Sequence, residues 1–95
     1  MAAYVISEVE VINEAAAEHY KQHAAASIAI YGGRYLARGA EPWVAEGEAA
    51  KGRIVIVEFP SMEKAREWFA SPEYAKAIKF HNKALRRRLM FIEER

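Results

Sequence analysis

The chain predicts an α+β fold of the ferredoxin-like βαββαβ type, with a four-stranded antiparallel sheet carrying its helices on one face. Three observations lead to it. Helix-period stretches alternate with four short runs of strand character in the order β-α-β-β-α-β. Capping and turn residues stand at the boundaries between them. The strands are apolar on both parities, which suits a sheet with two faces to cover. At 95 residues the chain has the length of a single domain, expected to span residues 1–95.

Residues 3–11 alternate and are rich in valine, which reads as the first strand. Asn13 is a good N-cap for the alanine-rich stretch from Glu14 to about Ile30, where Ala16, Tyr20, Ala24, Ser27 and Tyr31 fall near one helical face. Gly32-Gly33 stops that helix. A short strand is expected from Arg34 to Arg38, broken by Gly39-Ala40-Glu41-Pro42, with Trp43 to Glu46 as a candidate continuation. Arg53 to Phe59 is the clearest strand, centred on Ile54-Val55-Ile56-Val57. Ser61 caps a second helix with Met62, Ala65 and Phe69 as its apolar stripe. Ser71-Pro72 then begins a further helix to about Leu85, with Ala75, Ile78 and Leu85 inward and Lys76, Lys79 and Lys83 outward. Arg88 to Glu93 reads as the last strand.

Composition excludes several classes. There is no cysteine, so a disulfide framework, a thiolate metal site and a cysteine nucleophile are all ruled out. No apolar run approaches the ~20 residues of a membrane span, and no basic leader precedes the first strand; the expectation is a cytoplasmic protein with no membrane partner. Net charge is +1, but residues 1–50 hold three basic and seven acidic side chains against eleven and six in the remainder. The bases cluster only between Lys76 and Arg88. A nucleic-acid reading of that cluster, which the element order also invites, fails at Lys51-Gly52. An RNA-recognition domain carries stacking aromatics after such a pair, and here Arg53, Ile54 and Val55 follow. No nucleic-acid partner is expected.

The apolar residues on the second parity predict an interface. The first strand offers Val5, Val9 and Val11 on one side and Tyr4 and Ile6 on the other; the third offers Val55, Val57 and Phe59 against Ile54 and Ile56; the last offers Leu89 and Phe91 against Met90 and Ile92. A second apolar face on a chain with no more helices must meet another molecule, and a homodimer built sheet on sheet is the simplest solution. Glu8 and Glu58 continue the second parity and would be costly there without partners.

At Tyr31-Gly32-Gly33-Arg34-Tyr35-Leu36-Ala37-Arg38-Gly39, Val57-Glu58-Phe59-Pro60-Ser61 and Ser71-Pro72-Glu73-Tyr74 the chain resembles the domain-of-unknown-function family 1330, within the dimeric α/β-barrel group of ferredoxin-like proteins. The likeness covers essentially the whole chain. It departs from the usual pattern at Asn13-Glu14, where Asp-Pro is more common. The resemblance implies two sheets face to face in a barrel-like dimer, with a cavity on the open side of each. It implies no reaction. The wider group includes cofactor-independent monooxygenases, isomerases and haem-degrading enzymes, and fold does not dictate chemistry.

Arg34 and Glu58 are the leading candidates for function. Antiparallel pairing of the second and third strands sets them side by side, where the arginine fork can hold a substrate carboxylate or enolate while Glu58 moves a proton. The alternative is a structural ion pair. Arg38 shares the parity of Arg34 and is a second candidate for anion binding, or else faces solvent beside Gly39. His19 and His23 are four apart on a helix, a metal-compatible spacing, but no third ligand is evident and no metal is expected. His23 remains a candidate acid or base if its helix edge reaches the cavity. The expectation is a homodimeric small-molecule-binding protein, either a cofactor-free enzyme acting by proton transfer on a small anionic or carbonyl compound, or a non-catalytic ligand-binding or structural protein.

Overall fold

In the computed structural model, which describes residues 1–95, the chain runs β1 (Ala3–Val11), α1 (Glu14–Ile30), β2 (Arg34–Ala40), β3 (Arg53–Phe59), α2 (Met62–Phe69), α3 (Pro72–Ala84) and β4 (Leu85–Glu93). The strands form one antiparallel sheet in the order β2-β3-β1-β4. This is the ferredoxin-like arrangement, with the helices on one face.

Local chemistry sets the boundaries. Asn13 Oδ1 accepts a hydrogen bond from the Ala16 amide at 2.9 Å, Ser61 Oγ from Lys64 at 3.1 Å and Ser71 Oγ from Tyr74 at 3.0 Å. Each cap satisfies an orphan helix donor, worth about 1 kcal/mol. Gly32, just beyond α1, adopts φ 78°, a left-handed conformation that glycine reaches without steric cost.

The core lies between the helices and the face of the sheet carrying Ala3, Val5, Val57, Phe59 and Leu85. Trp68 and Tyr74 fill its centre, their rings 4.2 Å apart, and Trp68 Nε1 donates to Ser27 Oγ at 2.9 Å. The helix faces differ from those expected. In α2 the buried positions are Ala65 and Trp68 while Phe69 is exposed, and in α3 they are Tyr74, Ala77 and Ala84 while Ala75 and Ile78 face out. Burying Trp68 removes the larger apolar surface and finds its N–H a partner. The break at Ser71-Pro72 resets the helical phase.

Strand limits differ too. β4 begins at Leu85, three residues before the expected start, because β1 pairs along its full length through Val11 opposite Leu85. Residues 43–46 do not extend β2; they lie in an exposed connection. No helix is long and apolar enough to cross a membrane.

Candidate functional site

Strand register places Arg34 opposite Glu58, and Arg34 Nε donates to Glu58 Oε1 at 2.6 Å on the open face of the sheet. Tyr4 stands opposite Glu58 on the other side. Partial burial, followed by the charges of Glu94 and Glu58, raises the Tyr4 phenol above its ordinary pKa. The Arg34 side chain is 72% exposed and that of Glu58 24%.

Neither residue lines either of the two main cavities of the chain. A groove of about 560 Å³ does lie on the open side, but at the opposite end of β3, under the β2–β3 connection. Its walls mix both signs: Glu8, Glu10 and Glu48 with Lys51, Arg86, Arg87 and Arg88, of which Arg87 also lines the cavity beneath α1. Arg88 stands opposite Glu8 and Arg86 opposite Glu10 in the register.

A second cavity, of about 400 Å³, lies on the other side of the sheet, beneath α1. The resemblance implied a ligand space on the open face of the sheet; this cavity lies on the helix face. Its volume falls within the roughly 300–1,000 Å³ of small-molecule sites. Val5, Val55, Val57, Leu89, Ala24, Ile28 and Trp68 supply apolar wall, and the ionisable bases on its lining are Lys21, Arg38, Arg53 and Arg87. No carboxylate lines it.

The strand register explains how these bases come together. Arg53 and Arg87 flank Val9 from the two neighbouring strands, all three on the helix side. Arg38 arrives by a different route. An irregularity in β2 between Tyr35 and Ala37 sets Ala37 opposite Ile56 and Arg38 opposite Val55. One extra residue reverses the alternation of side chains, so Arg38 does not share the face of Arg34 as simple parity implied. Its guanidinium sits 4.4 Å from the centre of the Tyr35 ring, a cation–π contact.

Two polar side chains lie deeper. Ser7 is 5% exposed, sits between Val55 and Leu89 in the sheet and lines the cavity; its hydroxyl makes no hydrogen bond within the chain. Tyr20, on α1, also lines the cavity, and its hydroxyl accepts a hydrogen bond from Arg87 Nη1. Tyr20 Oη is 2.6 Å from the hydroxyl of the fully enclosed Tyr74. Burial, then the proximity of Tyr74, pushes the Tyr20 phenol far above its ordinary pKa, so it stays protonated at neutral pH.

His23 is away from both cavities. Its ring stacks on Phe80 of α3 at 5.7 Å between centroids, and His19 stacks on the same ring at 5.1 Å. The two imidazoles thus hold α1 against α3, and no group of three or more His, Cys, Asp or Glu could hold a metal ion. Of the residues singled out from sequence, Arg38 alone reaches the helix-side cavity, and Arg34 and Glu58 meet each other. Sequence reasoning did not single out Ser7, Tyr20, Arg53 or Arg87 as site residues. The available signal was a polar residue recurring on the apolar parity of a strand: Ser7 among Val5 and Val9, Arg53 beside Val55, Arg87 between Leu85 and Leu89.

Fold and cavity together define a small ferredoxin-like α+β protein with a basic-rimmed apolar pocket between helix and sheet. The chain belongs to the DUF1330 family of domains of unknown function, whose model matches residues 2–95. None of the curated proteins matches it. Among solved structures it is similar to a protein of unknown function from Rhodopseudomonas palustris, with 18% identity, a TM-score of 0.79, and 98% of this chain and 82% of that chain covered. It is also similar to SnoaB, a cofactor-independent oxygenase from Streptomyces nogalater (14% identity, TM-score 0.69, 99% and 93% covered). A dimeric protein of unknown function from Bacteroides fragilis with a ferredoxin-like fold is similar at 17% identity and TM-score 0.67, with 98% and 96% covered. At these identities the likeness is one of fold.

Proposed function

We propose that the chain is a homodimeric small-molecule-binding protein whose ligand is a compact apolar organic anion held in the helix-side cavity. One observation carries the reading: apolar walls that meet Arg38, Arg53, Arg87 and Lys21, with no carboxylate among the lining residues. Guanidinium groups bind carboxylates and enolates through charge-assisted, often bidentate hydrogen bonds. An apolar wall behind them lowers the local dielectric and strengthens that attraction.

The open face supports the dimer. Tyr4, Ile6, Leu36, Ile54, Ile56, Met90 and Ile92 remain partly or largely exposed in the single chain, an apolar surface that a second copy covers by two-fold symmetry. The dimeric Bacteroides protein of the same fold agrees with this. In this reading Arg34 and Glu58 clamp the edge of the interface, while Arg38 keeps the ligand-binding role. Cofactor-free chemistry on a small anionic or carbonyl compound is the enzymatic form of the reading; SnoaB, a cofactor-independent oxygenase of similar fold, supports its cofactor-free part.

The test is thermal stabilisation by a matched set of small aryl and branched aliphatic acids and amines. Acids should raise the melting temperature and amines should not. Arg38→Gln combined with Arg53→Gln, both at exposed positions, should weaken acid binding about tenfold or more, in line with the worth of charged hydrogen bonds. Equal response to acids and amines would reject an anion site.

A further inference from the structure

We propose that Ser7 and Tyr20 form an uncharged polar subsite inside the helix-side cavity. The ligand then carries a hydroxyl or carbonyl oxygen in addition to its anionic group. The proposal rests on the reading of that cavity as an anion site and narrows it to hydroxy- or oxo-substituted apolar acids.

Hydrogen-bond accounting points to it. The Tyr74 hydroxyl is fully buried and has the Tyr20 hydroxyl as its partner. Were Tyr20 the donor of that bond, the Tyr74 proton would be enclosed without an acceptor, at a cost of about 1–3 kcal/mol. Tyr74 therefore donates, and Tyr20 Oη accepts from both Tyr74 and Arg87. Both lone pairs of Tyr20 are then engaged, and its own O–H is left for the cavity it lines. Ser7 is the counterpart on the sheet: a residue of the cavity wall whose hydroxyl has no hydrogen-bond partner in the chain and is not closed off from the cavity space. Tyr20 can donate and Ser7 can donate or accept, so the cavity wall offers two neutral hydrogen-bonding positions to ligand oxygens.

Register orders the subsites. Ser7 with Val55 and Leu89 forms one cross-strand row; Val9 with Arg53 and Arg87 forms the next row on the same face. Same-face rows are two residues apart, roughly 7 Å. A ligand that reaches from the arginine row to Ser7 spans about one row, within the length of a para-substituted aryl acid, while Tyr20, bonded to Arg87, stands at the arginine end.

The experiment is titration calorimetry with 4-hydroxyphenylacetate and phenylacetate on the wild-type protein, Ser7→Ala and Tyr20→Phe. The hydroxylated acid is expected to bind at least tenfold more tightly to wild type. Each variant should lose most of that preference, read as the ratio of the two affinities within that variant. Circular dichroism checks that each variant is folded, and Ser7→Thr, which keeps the hydroxyl, should retain the preference. Phenylacetate binding without discrimination by wild type would overturn the subsite and leave the anion site standing. Preference that persists in the Ser7→Ala, Tyr20→Phe double variant would overturn it as well. Failure of both acids to bind would overturn the subsite together with the anion site.

Discussion

The two faces of the sheet treat arginine in opposite ways. On the open face Arg34 is bonded to Glu58, and Arg86 and Arg88 stand opposite Glu10 and Glu8. On the helix face Arg38 lies over Tyr35, Arg53 Nη1 donates to the Gly39 carbonyl at 3.3 Å, and Arg87 donates to Tyr20. No carboxylate faces these three across the cavity. In the proposed reading, a cation matched by a neighbouring carboxylate serves the architecture, and cations gathered at an apolar cavity without one provide for an anion brought from outside.

The largest expected effect lies on the helix face. Trp68 touches Phe59, Tyr74 and Phe91 and anchors Ser27, so Trp68→Ala should destabilise by about 3–5 kcal/mol, read by urea unfolding. A loss under about 1 kcal/mol would mean that the core is centred elsewhere. Next comes the open face. Ile56→Lys places an unpaired charge in the proposed dimer interface and should cost about 3–5 kcal/mol of association per site. Light scattering at micromolar concentration should fall from twice the chain mass to one chain mass. A wild-type monomer would remove the sheet-on-sheet interface.

A smaller effect is expected at Arg34 and Glu58. Because Arg34 is largely exposed, a double-mutant cycle of Arg34→Ala and Glu58→Gln should give a coupling of about 0.5–1 kcal/mol. A coupling above about 2 kcal/mol would move the pair from the rim of the interface to its interior. Acid binding should be unchanged in both single variants, since neither residue lines the helix-side cavity.

The smallest effect is a pH dependence at His81. Its Nε2 is buried without a partner, and Nδ1 lies 3.2 Å from Asn82 Oδ1. Burial, and after it the charge of Arg87, holds its pKa below the ordinary value of 6.5. The unfolded chain then takes up the proton first as pH falls. The stability contributed by neutral His81 is complete above about pH 6.5 and declines as pH drops from there through the lower folded-state pKa. His81→Gln should flatten this part of the stability profile; an unchanged profile would assign the slope to other groups.

The sequence by itself determined the element order, the caps at Asn13, Ser61 and Ser71, the two apolar parities of the sheet, and the meeting of Arg34 with Glu58. Each follows from local backbone preference or from the two-residue period of a strand, given antiparallel neighbours. Tertiary structure decided the rest. The irregularity that carries Arg38 to the helix face arises from how β2 fits against β3, a contact between segments separated by the 41–52 connection. The burial of Trp68 and Tyr74 in place of Phe69 and Ile78 depends on which aromatic finds both volume and a hydrogen-bond partner in the assembled core. The cavity is the space left between the side chains of α1, Ala24 among them, and the sheet. Such a space belongs to no single segment, because its shape is set by how far two packed layers can approach.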